Sequence, residues 1–153
     1  MYESDKMTRE EIKAIYEEDV QKLLRYLIWL QKTSGTITSD IYKGEGIEST
    51  SVTFPVYDAN LLAFIKEIKA SVFMNKNCVY TYSKYRLRTP ADELKLIDRC
   101  TMQDIKLIGD ILANYAIKGT VKGTVWSEGV KSGVYLAAVL KMKDLLEIRK
   151  PLA

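Results

Sequence analysis

Histidine is absent from this 153-residue sequence. That absence removes the Ser-His-Asp and Cys-His arrangements and most zinc chemistry, because imidazole titrates near neutrality and is the commonest metal ligand. An enzyme built on this chain would have carboxylates, lysines, tyrosines or cysteines alone. Cysteine is scarce: Cys78 and Cys100 form no C-x-x-C pair, and two such thiols suit a reduced, cytoplasmic chain better than a disulfide scaffold. No apolar run approaches the roughly 20 residues that span a membrane. The N-terminal MYESDKMTREE is polar and acidic, unlike a secretory signal. Neither H-E-x-x-H nor G-x-S-x-G occurs, and Gly44-Glu45-Gly46 lacks the Lys-Ser/Thr ending of a phosphate loop. The expectation is therefore no catalytic residue, no metal site and no cofactor.

What is present is ordinary for a globular domain: 47% hydrophobic and 28% charged residues, with a formal charge of +3. That charge is too small to imply nucleic acid by itself. A chain of this length reads as a single domain over 1–153, able to bury about two-thirds of its unfolded surface. There is no internal repeat and no interdomain linker.

Hydrophobic spacing predicts a mainly α domain, a bundle of about five helices with room for a small β-hairpin insertion at 36–54. Residues 1–7 read as a loose N-terminus. Thr8 with Glu11 forms a capping box, and apolar positions from Ile12 to Leu30 give one helix at about 8–33. Trp29 reads as a core residue near its end. Residues 34–57 are rich in Ser, Thr and Gly and read as a long polar loop or hairpin, with Lys43–Gly46 as its turn and Thr36–Thr38 and Ser51–Phe54 as strand fragments. Asp58 caps a second helix that buries Leu61, Leu62, Ile65, Ile68 and Phe73. Thr89-Pro90 opens a short third helix, whose early acids Asp92 and Glu93 suit the macrodipole. Only a kink near Cys100 separates it from the fourth, capped by Thr101.

The most strongly patterned stretch is Thr101 to Glu147, a helix, a glycine-bearing turn and a helix. Ile105, Ile108, Ile111, Leu112 and Tyr115 face inward, Gly119 ends the fourth helix, and Ser127 caps the last. Gly129, Gly133 and Ala137 lie four apart, a small-residue stripe for close packing, with a homodimer through the Gly129/Gly133 face as the alternative. Val134, Leu136, Val139, Leu140 and Leu145 supply the apolar side.

The function-like feature is an alternation of aromatic and basic residues. Residues 75–88 carry Tyr80, Tyr82, Lys84, Tyr85, Arg86 and Arg88 and a net charge of +4 with no acid. Residues 115–143 are also +4, and residues 1–20 are −4. If Lys118, Lys122 and Trp126 lie beside residues 80–88, one basic, aromatic surface results. Aromatics that stack on bases and cations that meet phosphates are the recipe for single-stranded nucleic acid; a half-buried turn with solvated cations is the simpler alternative.

Lys118-Gly119, Trp126, Gly133 and the Leu136-x-x-x-Leu140-x-Met142 run resemble a small helical domain-of-unknown-function family of bacteria and their phages, over about residues 105–146. Phe64 to Phe73 followed by Tyr82–Tyr85 is similar to that family's helix and aromatic-basic patch. The chain departs from it at Thr120-Val121, and at Val125 where the family often has His before the Trp. The resemblance implies a helical fold and no particular activity, substrate or cofactor.

Three readings follow. The first is a non-enzymatic module that binds a protein partner, in one version a phage or mobile-element protein that inhibits a host factor. The second is nucleic-acid binding through the basic-aromatic surface. The third is a binder, or enzyme, for a small anionic ligand such as a nucleotide.

Overall fold

The computed structural model describes residues 7–33, 40–41, 55–56, 59–122 and 124–148. Within them the chain is all-α apart from one two-residue ladder. The helices are α1 (Arg9–Leu24), α2 (Leu27–Thr33), α3 (Ala59–Ala70), α4 (Val79–Tyr85), α5 (Pro90–Arg99), α6 (Ile105–Val121), α7 (Thr124–Lys131) and α8 (Val134–Leu145), with a 3-10 turn (Met102–Asp104) leading into α6.

Eight helices among the described residues replace the expected five, and each extra boundary has a local cause. The first helix breaks after Leu24. There Arg25 and Tyr26 donate to Lys22 and Leu23, three residues back, which tightens the turn while the Tyr26 ring meets Phe64 edge-on at 5.5 Å. Cys100 is extended (φ −64°, ψ 143°), so α5 and α6 are separated by a true break and not a kink. Gly119 does not end α6, which runs on to Val121. The segment expected to be the last helix begins at Thr124 as α7, so Ser127 lies inside that helix, buried, and caps nothing. A second interruption falls at Gly133, whose left-handed backbone (φ 83°) turns the chain between α7 and α8. Gly129 and Gly133 are therefore not two steps along one helix. The Tyr135 ring covers Gly129 within the chain, 2.2 Å from where a Cβ would stand.

The expected hairpin at 36–54 is not matched. The described ladder (β1, Asp40–Ile41; β2, Pro55–Val56) is antiparallel, two residues long, and has its second strand beyond residue 54. Thr36–Thr38, the Lys43–Gly46 turn, Ser51–Phe54, the Asp58 cap and residues 1–6 lie outside the described residues.

The caps form as local chemistry dictates. Thr8 accepts from the Glu11 amide while Glu11 reaches back to the Thr8 amide at 2.8 Å. Thr89 and Asp92 repeat the pattern, with Pro90 in the first turn. The core sits around α6 and α8. The second of these packs against α1, α2, α5, α6 and α7, and α6 also meets α3 and α4. Phe64, Tyr135, Leu112, Ile111 and Leu30 fill the centre. Ile28, Leu62 and Leu140, expected inside, are exposed.

Candidate functional site

The stretch that reads as an aromatic-basic turn folds as a helix. Its sequence, VYTYSKY, has no 3.6-residue apolar pattern, and β-branched and aromatic residues are mediocre helix formers. Tertiary contacts hold it. Thr81 is buried and donates its hydroxyl to Asp110 Oδ2 at 2.6 Å, and Asn75 in the preceding turn donates to Oδ1 at 2.9 Å. Lys106, one turn before Asp110 on α6, approaches the same carboxylate at 3.4 Å. Asp19 of α1 accepts from the Val72 amide and secures the other end of the turn.

A second anchor is Glu93 of α5, only 6% exposed. Its Oε2 accepts the Tyr82 hydroxyl at 2.5 Å and its Oε1 the Tyr115 hydroxyl at 2.6 Å, both in the range of charge-assisted O–H···O bonds. Burial pushes the Glu93 carboxyl above its ordinary value; the Tyr115 and Tyr82 hydroxyls and the Lys118 ammonium pull against that rise. Burial, reinforced by the Glu93 charge, pushes both tyrosines well above the usual phenol range. These two hydroxyls stay protonated and act as donors.

Between the two anchors α4 presents its outer side to solvent. Tyr80 is 71% exposed, and Lys84, Arg86 and Arg88 are exposed with it. Lys118, near the C-terminal end of α6, places Nζ 5.8 Å from the centre of the Tyr82 ring. The α4 segment and the end of α6 therefore meet at that contact. Lys84 lies over the Tyr85 ring at 5.6 Å. Trp126 is half-buried, its indole N–H donating to the Ala116 carbonyl at 3.1 Å, and Lys69 of α3 sits 5.3 Å over its ring. Lys122 is exposed just past α6, next to the nearly bare Val121. Three of the aromatic rings thus carry a lysine on one face. Tyr80 alone among the expected residues holds its ring out to water, and Tyr82 is half-buried with its hydroxyl committed to Glu93.

Arg86 occupies the left-handed region (φ 55°, ψ 48°) as the C-cap of α4, a position that favours glycine. That conformation turns the chain toward α5.

Sequence reasoning missed Lys69, Glu93 and Asp110. Glu93 had a signal: it shares a helical face with Leu96 and Ile97, at i, i+3 and i+4, so it points where they point. Asp110 stood inside the apolar run of α6, another such signal. Lys69 had none, since its contact with Trp126 spans distant elements.

Other chemistry finds little support in this geometry. Cys78 and Cys100 are buried and unpaired. Burial holds both thiols above their usual value, Cys100 at about 11, which leaves them unreactive near neutrality. Among the described residues no group of three or more His, Cys, Asp or Glu is placed to hold a metal. Grooves of roughly 340–400 Å³ run between α5 and α8 and beside Tyr85, Arg99 and Asp104, both open to solvent. No helix among the described residues is long and apolar enough to cross a membrane. No protein-family model, curated protein or solved structure matches this chain.

Proposed function

We propose that this chain is a non-enzymatic binding module that docks an acidic protein surface on the outer side of α4 and the end of α6. The observation that carries the reading is the lysine on each of three aromatic rings: Lys118 on Tyr82, Lys84 on Tyr85 and Lys69 on Trp126. A ring face under an intramolecular ammonium is not open to a nucleobase, so the aromatics hold the cations in place instead of stacking on a ligand. Residues 75–88 contain no acid. Ordered cations on a stretch without acids of its own suit carboxylates presented by another protein and speed encounter with it. Arg86 adds one more exposed cation to this face, at the left-handed end of α4.

The test is capture from a nuclease-treated lysate by the wild type and by a Lys84→Glu/Arg86→Glu/Lys118→Glu variant of unchanged helicity. The reading expects a protein retained by the first and released by the second. Equal retention by both would sink it. Nucleic-acid binding is the second reading, favoured by Tyr80, which is one turn from Lys84 on the exposed side of α4. It expects retained material that disappears with nuclease and an affinity that falls steeply with salt.

A further inference from the structure

Beneath the basic face lies one carboxylate that the docking reading does not use. Glu93 and Lys118 stand on either side of Tyr82: the Glu93 carboxylate takes the Tyr82 hydroxyl and the Lys118 ammonium lies over the ring. Every element around Glu93 contributes a polar or titratable group. From α4 comes Tyr82, and from α6 come Tyr115 and Lys118. Asp92 is its neighbour on α5, Glu128 of α7 faces Tyr115, and α8 supplies Tyr135, whose buried hydroxyl has no partner. The Asp92 charge makes a negative charge on Glu93 less favourable; Lys118 is the one cation among these groups.

We propose that Glu93 is a buried counter-charge that sets the strength of the basic face, so that the face binds anions more tightly once Glu93 takes up a proton. The inference rests on the reading of that face as anion-binding. Ionised, Glu93 offsets Lys118 across one aromatic ring. With a proton from solvent on one oxygen, the carboxyl still accepts from one tyrosine and donates to the oxygen of the other. Tyr82, being half-buried, can then turn its hydrogen toward water. The packing survives and the face is one charge more positive. Burial, which raises the Glu93 carboxyl above its ordinary value, moves the change upward in pH from where an exposed glutamate titrates.

The experiment has two parts, both on the full chain. Carboxyl NMR of the wild type follows Glu93 and the Tyr82 and Tyr115 rings from roughly pH 4 to 8, without a ligand. Heparin, a sulfated polyanion whose charge is constant over that range, then serves as the anion probe for wild type and Glu93→Gln. The expected result is one midpoint shared by Glu93, both rings and the wild-type heparin affinity, with binding about threefold to tenfold tighter on the acid side, the size of one charge near a protein surface. The Gln variant, neutral throughout, lacks that step and shows only the background from other carboxylates. If it does not fold, coincidence of the wild-type midpoints still decides the matter. Parallel curves for the two proteins, or a Glu93 that titrates like an exposed glutamate, overturn the counter-charge and leave the face intact. No heparin binding by either protein at any pH overturns the face and the counter-charge together.

Discussion

The indole of Trp126 lies against the backbone of Gly119 so closely that a Cβ on Gly119 would stand 1.9 Å from its Cδ1. The two residues clamp the end of α6 to α7, and the indole N–H closes the contact on the Ala116 carbonyl. The Lys-Gly and Trp positions of the sequence resemblance thus have a physical role in this chain, since only glycine leaves room for that ring.

Gly119→Ala should therefore destabilise the protein although alanine is the better helix former. The propensity gain of about 1 kcal/mol is opposed by the clash, and overpacking costs about 1–3 kcal/mol. We expect a net loss of up to about 2 kcal/mol by urea denaturation, with a changed near-ultraviolet signal from Trp126. Gly119→Ala combined with Trp126→Ala should lose less than the sum of the two, because the second change removes the obstruction caused by the first.

Glu93 makes stability depend on pH in a particular direction. Its folded value is raised above the ordinary 4.5 by burial, so the folded protein holds the proton more tightly than the unfolded chain does. The contribution is complete below the unfolded value and is lost as pH rises through the folded one. Relative to Glu93→Gln, the wild type should be more stable at about pH 4 than at about pH 7.5, and a flat difference between the two proteins across that range would rule this out. Glu93→Ala should be worse than Gln at either pH, since it strands the buried Tyr115 hydroxyl, at about 1–3 kcal/mol for a buried donor left unpaired, while the half-buried Tyr82 hydroxyl can turn to water.

Elements fixed by neighbouring residues were legible in the sequence, and those fixed by distant ones were not. The caps at Thr8 and Thr89 are three-residue chemistry, and the apolar rows of α1, α6 and α8 repeat at the helical period. The helix α4 is the opposite case: its own residues favour no helix, and Asp110 and Glu93, 29 and 11 residues away from Thr81 and Tyr82, hold it. Glu93 was hidden because two adjacent acids open α5 and both suit a helix start. The structure divides the work: Asp92 serves the cap, accepting from the Arg88 and Thr89 amides, and Glu93 turns inward. The Gly129/Gly133 stripe failed for another reason, since a spacing of four is a face only while the helix continues, and Gly133 ends it. The basic surface was legible as composition; the meeting of Lys118 with Tyr82 is a tertiary contact that no local pattern encodes.

Asp110 should control α4 more than it controls the core. It is 1% exposed, and its partners Asn75 and Thr81 lie in and just before α4. Asp110→Ala leaves the buried Thr81 hydroxyl without an acceptor and the 71–78 turn without its anchor. We expect a loss of about 2–3 kcal/mol in global stability. In hydrogen exchange, the amides of 79–85 should lose protection while those of α8 keep theirs. Equal loss in both helices would show instead that Asp110 supports the whole bundle.

Arg86 separates stability from binding in a single substitution. Its φ of 55° places a side chain where the left-handed backbone crowds Cβ, and glycine removes that cost, about 1 kcal/mol. Arg86→Gly should therefore raise the midpoint of thermal unfolding. The same change deletes one exposed cation from the α4 face and should weaken capture of the acidic partner by severalfold. The alternative is that Arg86 merely caps the helix. In that case the variant would be more stable and bind as before, and the face would have to be sought among Lys84, Lys118 and Lys122 alone. Arg86→Asn, which keeps a side chain tolerant of the left-handed region while removing the charge, distinguishes lost charge from altered backbone: it should bind as weakly as the glycine variant if the guanidinium is what the partner meets.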